Sequence, residues 1–171
     1  MDSETLRNQQ APIKARYRED PASAQFTLRA EGTLGDEKLT CKVSTGRGLV
    51  EAGLHPATGG DGLSLCSGDM LLEALVACAG VTLKAVATAL QIPIRSGTIR
   101  AEGTLDFRGT LAISKEVPVG FRDIKLSFEL NTDATDEQLA SLLRLTERYC
   151  VVYQTLKTSP ESSAQIFRSP T

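Results

Sequence analysis

Hydrophobic and polar residues alternate along four stretches of the chain, at residues 26–34, 38–45, 98–107 and 123–130. This period of two predicts half-buried strands, because successive side chains of a strand point to opposite faces of a sheet. A Gly-Asp pair separates the first two stretches and favours a hairpin turn between them. A further short strand is predicted at residues 48–52.

A period close to 3.6 residues predicts two helices. The first runs from about Asp69 to Leu90 and ends before a proline and a glycine. The second opens with a capping box at Thr135 and carries apolar residues at helical spacing as far as Tyr153. Residues 163–167 predict a short closing strand.

The chain has the length and composition of a single globular domain, with 171 residues, 41% hydrophobic and 23% charged. Residues 1–22 are polar and predict an arm, in which a short helix begins at Pro12, since proline is favoured at the first helical position. Residues 23–171 form the domain. Within it, residues 52–68 hold five glycines and one proline, a composition typical of a functional or mobile loop.

The first predicted helix is apolar on almost every side and is interrupted mainly by Glu73 and Lys84. A helix of this kind must be covered nearly all round. One sheet of five or six strands covers only one side, so we expect a second copy of the chain on the other side. The sequence therefore predicts a symmetric, intertwined homodimer.

The charge balance gives no reason to expect nucleic acid or an anionic membrane as the main partner, because the net charge is only -2. Glu73 and Lys84 would each be unfavourable inside a bilayer, and the first ten residues lack the pattern of a secretory signal. We therefore expect a cytoplasmic protein that binds a small molecule or another protein.

Four cysteines at irregular spacings argue against a secreted disulfide framework. Cys41 lies on the apolar face of a strand and is expected to be a core residue. Cys66, just before the first helix, is left open between packing and a role, since a helix N-terminus can activate a thiol. Cys78 and Cys150 each lie on the inward side of a helix, where they could serve as core residues or as a redox pair.

Other site chemistries have less support. His55 is the sole histidine, so cysteine-histidine catalysis would depend on one residue in a glycine-rich loop, and a zinc cluster would lack a second histidine. The cysteines show no C-x-x-C spacing, which excludes the thioredoxin motif and ribbon-type zinc sites. We expect no metal and no cofactor.

Two segments resemble the OsmC/Ohr family, which comprises osmotically induced protein C and the organic hydroperoxide resistance proteins. They are "SGDMLLEALVACAGVTL" and "LLRLTERYCVVYQTL", and the resemblance in element order extends from Phe26 to Phe167. It implies an α+β fold, in which antiparallel strands pack on a long central cysteine-bearing helix and a second helix. It also implies an intertwined homodimer with active sites at the subunit interface.

The resemblance further implies a thiol-dependent peroxidase. Cys78 matches the peroxidatic cysteine of the family, whose thiolate attacks the hydroperoxide and becomes a sulfenic acid. Cys150 matches the resolving cysteine, which forms a disulfide that an external dithiol, such as a lipoylated protein, reduces.

The family activates its thiolate with an arginine that a glutamate orients. Arg47 is the candidate arginine, with an ordinary loop residue as the alternative. At the position that matches the family's glutamate, this chain has Gly68. Asp69, one residue later, is therefore the candidate carboxylate, with a helix N-cap as its alternative role. Val151 replaces the proline that usually follows the second cysteine, so the second helix is expected to run on through Tyr153.

The alternative to an enzyme is a non-catalytic OsmC-like dimer that binds a small molecule or is associated with stress and uses its cysteines as core residues. It predicts an ordinary or raised pKa for Cys78 and no disulfide formation with peroxide. A cysteine hydrolase using His55 is a third hypothesis.

Overall fold

The computed structural model describes residues 3–34, 41–43, 52–60, 62, 65–166 and 168. Over these residues the chain forms five helices and six strands, with 3-10 turns at Pro21–Ala24 and Pro56–Thr58. In chain order they are α1 (Ser3–Glu19), β1 (Gln25–Leu34), β2 (Cys41–Val43), β3 (Ala52–Gly53), β4 (Leu65–Cys66), α2 (Ser67–Ala89), β5 (Ser96–Asp106), α3 (Phe107–Thr110), β6 (Asp123–Asn131), α4 (Asp136–Tyr149) and α5 (Val151–Lys157).

Four of the strands form one antiparallel sheet in the order β2-β1-β5-β6, while β3 and β4 form a separate parallel pair. The alternation predicted for β5 is confirmed, because Ile99, Ala101 and Leu105 are buried on one face. On the opposite, exposed face Arg100 bridges Glu31 at 2.9 Å and Glu129 at 2.8 Å. The sheet is thus apolar on one side and charged on the other, and the predicted α+β class is confirmed.

The helix α2 packs across the apolar face of the sheet, and α4 and α5 pack on α2. Its start at Ser67 and end at Ala89 agree with the prediction to within two residues. By length and composition α2 could cross a membrane, yet its inner face forms the centre of the core. The buried residues of α2 are Leu72, Leu75, Val76, Ala79, Gly80, Leu83 and Ala87.

Three large apolar residues on the outer side of α2 stay partly exposed in the single chain. Met70, Leu71 and Val81 are each 38–39% exposed. This is the surface for which the sequence predicts a second copy of the chain.

The N-terminal segment forms a longer helix than predicted. α1 begins at Ser3 and carries Pro12 in its interior, so the prediction that the helix starts at Pro12 is wrong. Proline's preference for a first turn is a local effect, whereas the end of α1 is held by tertiary contacts. Tyr17 is fully buried and donates a hydrogen bond to the carbonyl of Ala57 at 2.7 Å, and Ile13 packs against the core.

Three further predictions, one of a hairpin turn and two of short strands, have different outcomes. The hairpin turn at Gly35 and Asp36 and residues 48–51 lie outside the described residues. The closing strand predicted at residues 163–167 is wrong over 163–166, which form no strand and are exposed. A strand is held by its ladder of hydrogen bonds, and no described strand pairs with this segment.

Gly103 allows the ring of Phe121 to lie directly on β5. A Cβ atom at residue 103 would lie 2.6 Å from two ring carbons of Phe121. We expect Gly103→Ala to lower the free energy of unfolding by about 1–3 kcal/mol, because the ring must move out of a packed position. Urea denaturation measures this change. Gly120→Ala is the matched control, since a Cβ there meets no atom within 4 Å; an equal effect in both variants would contradict the steric explanation.

Candidate active site

The second helical segment is broken at Cys150, which ends α4 and begins α5. The backbone of Cys150 is extended, with φ -73° and ψ 108°. Its Sγ accepts a hydrogen bond from the N–H of Tyr153 at 3.4 Å, and its carbonyl accepts from the N–H of Gln154 at 2.9 Å. The prediction that one helix runs on from Thr135 through Tyr153 is therefore wrong. Val151 does occupy a helical position, but as the first residue of a new helix that the Cys150 side chain caps.

The break places the Cys150 thiol near the Cys78 sulfur on α2, close enough for each thiol to shift the pKa of the other. The backbone N–H groups of Val151 and Val152, at the start of α5, also act on the Cys78 sulfur and lower its pKa. The hydroxyl of Thr82, one helical turn after Cys78, also lowers this pKa. Cys78 is half-buried, Cys150 is fully buried, and both are free thiols. The structure thus brings the two predicted cysteines together.

The two thiols are shifted in opposite directions. Burial acts to raise the pKa of Cys78, but donors from Val152, Cys150, Val151 and Thr82 outweigh it and lower this pKa below its ordinary value. Burial raises the pKa of Cys150 to about 11, and the neighbouring Cys78 sulfur adds to this rise. Cys78 is therefore the thiol that ionises first, and Cys150 keeps its proton and donates it.

The donors that lower the pKa of Cys78 are neutral in the part of the chain that the structure describes. The sequence led to a different expectation, a cation from Arg47, which lies outside the described residues, so its role stays a prediction. Sequence reasoning missed Thr82, although its spacing of four residues from Cys78 was a usable signal. It could not have found the N–H donors of Val151 and Val152, because they depend on how α5 docks.

Asp69 is the third residue of α2, so its alternative role as the helix N-cap is wrong. The helix begins two residues earlier than the prediction, and Cys66 holds the N-cap position without a side-chain hydrogen bond. Burial raises the pKa of Asp69, and the nearby His55 acts in the opposite direction. Nine residues of helix separate Asp69 from Cys78, about 13 Å along the axis. The two are not brought together, and the role of Asp69 toward an arginine stays a prediction.

His55 is held in a local structural role. Its Nδ1 accepts a hydrogen bond from the N–H of Ala57 at 3.0 Å and so caps a 3-10 turn. Its ring stacks on Phe107, with centroids 4.9 Å apart, and meets Phe26 edge-on at 5.5 Å. Burial lowers the pKa of His55, and Asp69 partly opposes this shift. These contacts give the hydrolase hypothesis no support.

A cavity of about 360 Å³ lies between α2, β6 and α5. Neither Cys78 nor Cys150 lines this cavity, but Leu75 precedes Cys78 by one turn and Tyr153 follows Cys150 by one turn. Its walls are mainly apolar, with three charged residues among them. They are Leu75, Phe121, Arg122, Asp123, Ile124, Leu126, Tyr153, Leu156 and Lys157. Among the described residues, no group of three or more His, Cys, Asp or Glu could hold a metal ion.

The arrangement of a long cysteine-bearing helix, a second cysteine at a helix break and an antiparallel sheet agrees with a known family. The family model described as OsmC-like protein matches residues 59–164, more than half of the chain. The chain belongs to the OsmC-like protein family. The predicted family is thus confirmed.

Two solved structures share the fold of this OsmC-like protein. An OsmC-like protein from Mycoplasma pneumoniae is 16% identical, with a TM-score of 0.55, over 75% of this chain and 86% of that one. An OsmC-like hydroperoxide resistance protein from Jannaschia sp. CCS1 is 15% identical, with a TM-score of 0.59, over 86% and 97%. At this identity the likeness shows the fold alone. Comparison of the sequence with curated proteins gives no match.

Proposed function

We propose that this OsmC-like protein is a thiol-dependent peroxidase that reduces organic hydroperoxides in oxidative-stress defence. The observation that carries the proposal is the pair of neighbouring free thiols, in which the pKa of Cys78 is lowered and that of Cys150 is raised. Family membership, and the name of the Jannaschia protein, support a peroxidase or stress role in general terms. The assignment of steps to each cysteine rests on the geometry.

In the first step the Cys78 thiolate attacks the terminal oxygen of the hydroperoxide. An S–O bond forms, the O–O bond breaks, and the alkoxide leaves with the electron pair and takes a proton from solvent. Only the thiolate is an effective nucleophile, so the lowered pKa of Cys78 speeds this step near neutral pH. The product is a sulfenic acid on Cys78.

In the second step the sulfur of Cys150 attacks the sulfur of the sulfenic acid. An S–S bond forms, the S–O bond breaks, and the hydroxide leaves as water with the proton of Cys150. The raised pKa keeps that proton on Cys150 until it is needed. An external dithiol, for which a lipoylated protein is our candidate, then reduces the disulfide by thiol exchange and becomes a disulfide itself.

The cavity between α2, β6 and α5, whose lining residues Leu75 and Tyr153 each lie one turn from a cysteine, supports an organic substrate. Its mainly apolar walls would bury an alkyl or aryl group, and that burial favours binding in proportion to the apolar area removed from water. Hydrogen peroxide has no such group. We therefore propose that organic hydroperoxides react faster than hydrogen peroxide.

We also propose that the working form is a cytoplasmic homodimer. The uncovered apolar stripe at Met70, Leu71 and Val81 on α2 supports a second copy on this face. Light scattering at micromolar concentration tests the dimer, and a monomer mass would contradict it.

The function is tested by steady-state turnover with dihydrolipoamide as the reductant. We expect cumene hydroperoxide to be consumed at least about tenfold faster than hydrogen peroxide, because its aryl group gains binding energy in the cavity. The variant Cys66→Ser is the matched control: Cys66 lies about 18 Å along α2 from Cys78, so it should keep the parental rate. Consumption no faster than in protein-free buffer would contradict the proposal and favour the non-catalytic alternative.

A further inference from the structure

Thr146 is a buried polar residue with an unexplained hydroxyl. It is 1% exposed, and its Oγ1 has no hydrogen-bond partner among the described residues. Buried polar groups in native proteins are nearly always paired, so an unpaired hydroxyl calls for an explanation. A valine would fill the same volume without an unpaired group, so packing alone does not account for a threonine here.

The position of Thr146 places it one turn from the thiol pair. Thr146 precedes Cys150 by four residues, and together with Leu142 it forms the buried side of α4, which packs on α2. Cys78 meets Cys150, while Leu83 and Leu142 line one small cavity further along. The helices α2 and α4 are therefore antiparallel. Thr146 lies on α4 between Leu142 and Cys150, the residues that mark these two contacts.

On α2, Thr82 likewise lies between the two contact residues, Cys78 and Leu83. Its hydroxyl is one of the groups that lower the pKa of Cys78. Two hydroxyls thus lie one turn along a helix from the thiol pair, and that of Thr146 has no partner among the described residues. The oxidation of Cys78 adds an oxygen atom to the thiol pair, and an added oxygen is an acceptor for a free O–H donor.

We propose that Thr146 is a catalytic residue of the resolving step, whose hydroxyl donates a hydrogen bond to the oxygen that Cys78 carries as a sulfenic acid. This role rests on the proposed peroxidase function. As the sulfur of Cys150 attacks, the S–S bond forms and the S–O bond breaks. The leaving oxygen gains negative charge, which a positioned donor stabilises, until the proton of Cys150 completes the water molecule. Thr146 gives up no proton in the balance.

The test compares Thr146→Val with the parent after one equivalent of cumene hydroperoxide, using rapid quenching and intact mass. A gain of about 16 Da marks the sulfenic acid and a loss of about 2 Da marks the disulfide. We expect Thr146→Val to slow disulfide formation about tenfold or more, as for the loss of a donor to a charged leaving group, and to leave sulfenic acid formation within about twofold of the parent. Its melting temperature should be equal to the parent's or higher, since an unpaired buried hydroxyl has been removed.

Two further variants separate a catalytic from a structural role. Thr146→Ser keeps the hydroxyl and should restore fast disulfide formation. Thr88→Val removes an exposed hydroxyl that bonds the carbonyl of Lys84 at 2.8 Å and should resemble the parent. Parental disulfide formation in Thr146→Val would overturn the inference, as would a slowing that comes with a lowered melting temperature and no rescue by serine. If the parent itself forms neither the sulfenic acid nor the disulfide, the proposed peroxidase function fails, and the inference fails with it.

Discussion

Replacing Cys78 with serine is expected to lower the rate constant for cumene hydroperoxide consumption by about a thousandfold or more. A serine hydroxyl stays protonated at neutral pH and is a far weaker nucleophile than a thiolate, so the donors from Val151, Val152 and Thr82 have no reactive anion to stabilise. The measurement is loss of hydroperoxide under pseudo-first-order conditions with excess protein, which isolates the first step from the reductant.

The Cys78→Ser comparison needs a folded variant and a matched cysteine replacement. Cys78 is only half-buried, and serine is close to it in size, so circular dichroism and melting temperature should change little. Cys66→Ser is the matched replacement. Cys66 lies at the N-cap of α2, outside the thiol pair, so this variant should consume hydroperoxide at the parental rate. A Cys78→Ser variant that retained more than about a tenth of the parental rate would remove Cys78 from the mechanism.

Replacing Cys150 with alanine is expected to abolish disulfide formation and to raise the pKa of Cys78. The Cys150 thiol is one of the donors that lower this pKa, and its sulfur also caps the helix whose N–H groups supply others. The pH profile of Cys78 alkylation by iodoacetamide should therefore move to higher pH. Hydroperoxide should leave a lasting sulfenic acid on Cys78, because the resolving thiol is absent.

The direction in which the alkylation profile moves decides whether Cys150 stabilises the Cys78 thiolate. In the parent, reactivity is lost as pH falls through the lowered pKa of Cys78, while Cys150, with a pKa of about 11, remains protonated across the neutral range. The control is Cys150→Ser, whose hydroxyl can still donate, so its alkylation profile should move less than that of Cys150→Ala. A profile that stayed in place or moved to lower pH in Cys150→Ala would show that Cys150 does not stabilise the thiolate.

Regular periodicity in the sequence was enough to predict the elements that build the site. The alternation at residues 98–107 and 123–130 became β5 and β6, and the helix predicted from Asp69 to Leu90 became α2. Period and burial follow from the same side-chain geometry, so these predictions needed no knowledge of tertiary contacts.

The parts that failed depend on contacts between distant segments. The run of apolar residues through Tyr153 fitted a continuous helix, but the Cys150 side chain caps α5 and turns the chain toward α2. Likewise, the C-terminal end of α1 is held by the hydrogen bond from Tyr17 to Ala57, forty residues further along the chain. Local propensity carries no information on such contacts.

The sequence predicts that the thiolate of Cys78 needs stabilising groups, but it does not identify the groups that lower the pKa of Cys78 among the described residues. The sequence argument that burial would raise the pKa of Cys78 holds as a direction, and it led to the expectation of a cation such as Arg47. Among the described residues, backbone N–H groups, the Cys150 thiol and the hydroxyl of Thr82 lower this pKa, and backbone groups leave no trace in residue identity. The role of Arg47, outside the described residues, stays a prediction. Residue spacing could have pointed to Thr82 and Thr146, each four residues from a cysteine.

The most direct test of the account is the mass of the reduced protein after one equivalent of cumene hydroperoxide, followed by peptide mapping without reductant. The account gives a loss of about 2 Da and one linked peptide pair that joins Cys78 to Cys150. An unchanged mass, or a disulfide that joins either cysteine to Cys41 or Cys66 instead, would contradict it.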